Sequence, residues 1–224
     1  MTDNKKIPIY FMPGLAASSA IFERIKLDKD LYTLYFLEWI IPYDNESLEK
    51  YVKRLLLEIK EENPVLVGVS FGGIIIQEMA KYIKVRQLIV ISSVVNESEF
   101  PLRMIFAKKT KLYYLFPTSL FSNYKYLNYF MRGKRFEMYK KFLSINDKKY
   151  LDWAFKTIIN WKSDTNFLTD KIIRIHGDAD EVFPIKNINL TNCYVIPKAT
   201  HAMIVYKHRW FNKNLPIIIK QTNL

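Results

Sequence analysis

Apolar residues come along this chain in short dense runs separated by helix-length amphipathic stretches. Ile7 to Met12, Tyr32 to Trp39, the run from Val65 to Val69, Leu88 to Ser92, Lys171 to His176 and Asn192 to Ile196 are rich in branched and aromatic residues, which predicts strands. Between them, Leu48, Tyr51, Val52, Leu55, Leu56 and Ile59 repeat at helical spacing, so Leu48 to Glu61 predicts a helix that Ser47 can cap and that ends before Pro64. Ile74 to Tyr82 is helix-compatible too, and small residues after Pro13-Gly14 predict a loop and a short helix entered at Ser18 or Ser19. Trp210 to Lys220 predicts a closing helix interrupted near Pro216. Strands of the doubly buried type alternating with helices predict an α/β fold, a mostly parallel sheet flanked by helices on both faces.

The alternation breaks from about Glu97 to Thr165. No comparable strand occurs there; aromatic and basic residues fill helix-like stretches such as Phe136 to Ser144 and Lys148 to Trp161. This organisation predicts a core built from residues 1–95 and 166–224, interrupted by a helical cap, or lid, over residues 96–165.

Composition narrows the class. With 224 residues, half of them hydrophobic, the chain can bury a full core, and disorder is excluded. The N-terminal apolar run is interrupted by Pro8 and is too short for a signal-peptide core, and nothing downstream reaches the roughly 18 apolar residues of a transmembrane segment. The single Cys193 permits no internal disulfide and no cysteine metal cluster; it reads as a small, buried or half-buried strand residue. A cytoplasmic protein with no metal and no cofactor is expected. The formal charge of +12 is uneven: Pro101 to Thr165 holds 14 Lys and Arg against four acids. No recognition helix or RNA-binding motif accompanies that charge, which argues against a nucleic-acid partner.

The run from Val65 collapses into Gly68-Val69-Ser70-Phe71-Gly72, a G-x-S-x-G pattern between a predicted strand and a predicted helix. A serine hydroxyl is a poor nucleophile unless a base and oxyanion donors face it, and a sharp strand-to-helix turn is a way to aim it. Of the three histidines, His201 follows the last predicted strand and is the candidate base. His176 ends a strand and reads as structural; His208, between Lys207 and Arg209, reads as solvated. The strand Lys171 to His176 runs into Gly177-Asp178-Ala179-Asp180-Glu181 at the same predicted sheet edge as Ser70 and His201, where open α/β sheets place their sites. Asp178 and Glu181 read as turn residues, and Asp180 as the candidate acid.

Together, Gly68 to Gly72, His176-Gly177-Asp178-Ala179-Asp180 followed by Val182-Phe183-Pro184, and a late His201 resemble the α/β-hydrolase fold family, in the chain order Ser, Asp, His. The resemblance covers the whole predicted core. It implies a carboxylesterase- or thioesterase-like enzyme with a catalytic triad of Ser70, His201 and Asp180, a nucleophile elbow at Ser70, and an oxyanion hole from the backbone N–H groups of Leu15 and Phe71. The chain departs from the family at Pro13-Gly14, where members commonly have His-Gly, and at Thr200, where a glycine often precedes the histidine. The family also holds lyases and other non-hydrolytic enzymes on the same triad, and a non-catalytic ligand-binding protein is a further alternative. Within the cap, Pro101 to Thr165 contains 16 of the chain's 34 aromatic residues, as a small roofing core or as the lining of an apolar acyl pocket. Its basic residues are read as a solvated face or as a docking surface for a carrier-bound acyl ester, on coenzyme A or an acidic acyl carrier.

Overall fold

The structure, a computed structural model, describes residues 6–115, 118, 141–164 and 171–221. Its strands are β1 (Ile7–Met12), β2 (Tyr32–Phe36), β3 (Val65–Val69), β4 (Gln87–Ile91), β5 (Ile172–Gly177) and β6 (Cys193–Ile196). They form one six-stranded sheet in the order β2-β1-β3-β4-β5-β6, with every neighbouring pair parallel. The described helices are α1 (Leu48–Leu55), α2 (Phe71–Met79), α3 (Leu102–Thr110), α4 (Lys148–Asn160), α5 (Met203–Tyr206) and α6 (His208–Gln221).

Strand alternation divides the core into two layers. Tyr10, Met12, Leu66, Leu88 and Val90 face α1, α2 and α4, while Ile9, Phe11, Val67, Val69, Ile89 and Ile91 face Phe22 and the Phe211, Leu215, Ile218 and Ile219 stripe of α6. Each fully buried side chain of this kind contributes about 1.5–3 kcal/mol. Helix α2 is buried along its whole length, in one apolar cluster that also holds Tyr51, Val52 and Leu55 of α1 and Tyr150, Leu151, Ala154 and Ile158 of α4.

Several element ends differ from the sequence expectation, each for a tertiary reason. Helix α1 stops at Leu55 and continues only as a 3-10 turn to Glu58, because the N–H groups of Lys60 and Glu61 donate to the Tyr10 hydroxyl at 3.0 and 3.2 Å. Strand β2 ends at Phe36 and not at Trp39, which turns back toward the loop after β1. Pro216 lies inside an unbroken α6, with residues of the buried stripe on either side of it. Ser18 precedes a 3-10 turn, Ser19–Phe22, without capping it through its side chain. Ser47 and Asp147 do cap α1 and α4, accepting from Lys50 N and Tyr150 N.

Between β4 and β5 the described residues form α3, α4 and 3-10 turns, with no strand among them. The helix expected over Phe136 to Ser144 lies largely outside the described residues. A nearly buried ion pair ties this segment to the sheet. Glu99 accepts from Arg174 of β5 at 2.5 Å, and from Val95 N and Asn189 N.

Candidate active site

Ser70 is the one residue between β3 and α2, with φ 51° and ψ −120°, a left-handed conformation that costs about 1–3 kcal/mol for a side-chain-bearing residue. The turn closes this tightly because Gly68 and Gly72 carry no side chain. A Cβ at Gly68 would lie 2.3 Å from Gly72 O, and one at Gly72 would lie 2.4 Å from the carbonyl oxygens of Met12 and Pro13. The backbone of Ser70 is fixed on both sides: its N–H donates to Ile91 O at 2.9 Å, and its carbonyl accepts from Ser93 Oγ at 2.6 Å and Gly73 N at 2.9 Å.

The loops after β5 and β6 are laced together, with Ala179 N donating to Ala199 O and Lys198 N donating to Asp178 Oδ1 at 2.6 Å. This lacing brings Asp180 and His201 side by side. His201 Nδ1 lies 2.9 Å from Asp180 Oδ2, and His201 Nε2 lies 2.9 Å from Ser70 Oγ. A carboxylate only accepts, so Nδ1 carries the proton and donates to Asp180, and Nε2 is left to accept from the serine hydroxyl. Asp180 is almost fully buried, and its Oδ1 also accepts from Val182 N at 2.8 Å and Phe183 N at 2.9 Å. Burial opposes its charge, but the His201 hydrogen bond and charge, with the Phe183 N–H, outweigh that and hold the carboxyl below the ordinary range.

Asp178 and Glu181 are exposed turn residues. His176 is buried, donates from Nε2 to Phe183 O at 2.8 Å and stands 3.5 Å from Asp180; desolvation lowers its pKa, which keeps it neutral behind the acid. His208, expected to be solvated, is half-buried at the start of α6, where Trp210 and Phe211 pack against the sheet. Cys193 is half-buried in β6, and burial pushes its thiol up to about 11.

The loop after β1 passes directly over the serine. A Cβ on Gly14 would lie 3.3 Å from Ser70 Cβ. Among the described residues, neither Leu15 N–H nor Phe71 N–H donates to a protein acceptor. Gly14 O accepts from Trp39 Nε1 at 2.9 Å, and the Trp39 ring stacks on Phe71 at 5.0 Å between centroids. Sequence reasoning missed Trp39, because an aromatic residue closing a strand looks the same whether it only packs or also donates. At the second departure from the family pattern, Thr200 is exposed and is tied to the Tyr206 hydroxyl through its N–H and its own hydroxyl.

The aromatic residues described between β4 and β5 mostly roof the core. Tyr150 packs on Trp39, Trp153 on Tyr51 and Phe71, and Trp161 on Phe100. A cavity of about 560 Å³ lies between the loop after β2 and α4, lined by Tyr43, Tyr113, Lys149 and Trp153 among others, but not by Ser70, Asp180 or His201.

No protein-family model and no curated protein sequence matches the chain. Solved structures do resemble it. A carboxylesterase of the ammonia-oxidizing thaumarchaeon Nitrososphaera gargenis is 15% identical with a TM-score of 0.71, over 100% of this chain and 93% of that one. An esterase from Rhodococcus sp. ECU1013 is 14% identical with a TM-score of 0.65, over 97% of this chain and 92% of that one. A bromoperoxidase from Bacillus anthracis is 17% identical with a TM-score of 0.63, over 96% of this chain and 92% of that one. At such identities the likeness is one of architecture, and the architecture agrees with the resemblance carried by the sequence motifs: the chain has the α/β-hydrolase fold.

Proposed function

We propose that the protein is a serine hydrolase that cleaves carboxylic esters or thioesters through an acyl-enzyme, beneath a helical cap formed by residues 96–165. The observation that carries this reading is the continuous hydrogen-bond relay from Asp180 through His201 to Ser70, with 2.9 Å at each step, ending on a serine held in a strained turn. Ser70 Oγ attacks the acyl carbonyl while His201 Nε2 takes its proton. Asp180 holds the imidazole in the Nδ1–H tautomer and stabilises the imidazolium that forms. The developing oxyanion is received by the N–H groups of Leu15 and Phe71, the latter at the N-terminus of α2, where the helix dipole adds to the attraction. His201 then protonates the leaving alcohol or thiol, and water repeats the cycle on the acyl-enzyme to release the acid.

Support comes also from the named activities of two of the similar structures, which are esterases. The bromoperoxidase among them keeps a non-hydrolytic enzyme on this scaffold as the alternative. The roofing aromatics suit an apolar acyl group, and the finer reading of the basic segment is the docking of an anionic carrier of that group. A panel of p-nitrophenyl esters, acyl thioesters and amides, run with Ser70→Ala as control, tests the proposal. Turnover of esters or thioesters that disappears in Ser70→Ala is the expected result, and wild-type turnover in Ser70→Ala would end it.

A further inference from the structure

We propose that Trp39 is the positioning residue of the oxyanion loop, aiming the Leu15 N–H through a hydrogen bond to the carbonyl on the other side of the same peptide. The inference rests on the reading of Leu15 and Phe71 as oxyanion donors and goes one step further, to what orients them. The loop itself offers little to anchor it, since Pro13 has no N–H and Gly14 has no side chain. Gly14 O is instead held by two donors, Trp39 Nε1 at 2.9 Å and Ala17 N at 3.0 Å. The Gly14–Leu15 peptide is trans and planar, so its C=O and N–H point in opposite directions. Fixing the carbonyl toward Trp39 therefore fixes the N–H on the opposite side of the peptide, and Gly14 itself sits against Ser70.

The same indole reaches the second donor. Its ring lies parallel to that of Phe71, with an interplanar angle of 10°, and is backed by Tyr150 at 5.2 Å. Trp39 is buried, so the bond to Gly14 O is shielded from competing water. One side chain thus touches the peptide that carries the Leu15 N–H, through Gly14 O, and the residue that carries the other N–H, Phe71. Packing alone accounts for the ring; it does not account for the indole N–H aimed at this carbonyl.

The test removes the N–H and keeps the ring. Trp39 is replaced by its benzothienyl analogue, an isostere with sulfur in place of the N–H, with Trp39→Phe and Ser70→Ala in parallel. Hydrolysis of p-nitrophenyl acetate, inhibition by an aryl trifluoromethyl ketone, which binds as an oxyanion, and thermal unfolding are measured. The benzothienyl protein should lose about 10- to 100-fold in kcat, less than outright removal of an oxyanion donor. Its KM should stay within about threefold, because the loss belongs to the transition state. Inhibition by the ketone should weaken by the factor lost in kcat. Wild-type kcat and ketone affinity in the benzothienyl protein, with Ser70→Ala inactive, would overturn the role of Trp39 and leave the hydrolase reading standing. Full turnover in Ser70→Ala would overturn both.

Discussion

Ser70 is held by its neighbours in a conformation that its own side chain disfavours, and that strain has a measurable signature. Ser70→Ala keeps the left-handed φ and its cost, whereas glycine adopts it freely. Ser70→Gly should therefore be more stable than Ser70→Ala by about 1 kcal/mol in urea unfolding, with both inactive. His201→Ala should lower esterase kcat by about four or more orders of magnitude, as Ser70→Ala should. Asp180→Asn should cost about 10⁴ by stabilising the wrong tautomer. Asp178→Asn should cost little, since Asp178 is exposed and its Oδ1 accepts from Lys198 N, a bond that the asparagine carbonyl can keep. The buried carboxyl also links stability to pH. Its pKa lies lower in the folded than in the unfolded chain, where it is about 3.9, so its contribution is complete above that value and is lost as pH falls through the folded pKa. The stability gap between the wild type and Asp180→Asn should accordingly be constant near neutral pH and shrink below about pH 4. Ser70, Asp180 and His201 are legible as neighbours in the sequence because each follows a parallel strand and falls at the same sheet edge. Trp39 is not legible, because its partner is a backbone carbonyl, which leaves no trace in residue type.

Among the elements, the central strands are readable because their apolar runs have no alternative to burial, and the sheet contains all six strands that the sequence predicts, the outer two, β2 and β6, only partly buried. The ends are not readable, because distant groups set them. The Tyr10 hydroxyl takes the N–H groups that would have extended α1, and the carbonyl of Gly14 draws Trp39 out of line with β2. Pro216 misleads for a similar reason: the apolar stripe of α6 against the sheet outweighs a local breaker worth about 3 kcal/mol. The Arg174–Glu99 pair is equally invisible in sequence, with its partners 75 residues apart. Removing one side strands a nearly buried charge, so Glu99→Ala should lower unfolding free energy by about 3–5 kcal/mol in urea titration. The loss should exceed that of Lys53→Ala, whose partner Glu49 is an exposed helix neighbour.

For the molecule as a whole, net charge is legible in sequence and charge pairing is not. Lys141 and Lys149 of the basic segment pair with Glu23 and Asp44, acids supplied from outside it, and Lys148 pairs with Asp152. If the basic surface that is left serves an anionic carrier, KM for a carrier-bound thioester should rise with salt while KM for a small neutral ester stays level. Equal salt dependence for the two would rule out carrier docking on this surface. Among the described residues, no helix is long and apolar enough to cross a membrane. What the sheet, the two core layers and the laced loops accomplish together is to hold one serine against one imidazole, and under the proposed mechanism this serine becomes acylated. The most direct measurement is mass spectrometry of the protein quenched during turnover of p-nitrophenyl acetate, followed by peptide mapping. A single acetyl group on the peptide that carries Ser70, absent in Ser70→Ala, is expected. Turnover with no acetyl group on that peptide, or with the group on another residue, would contradict it.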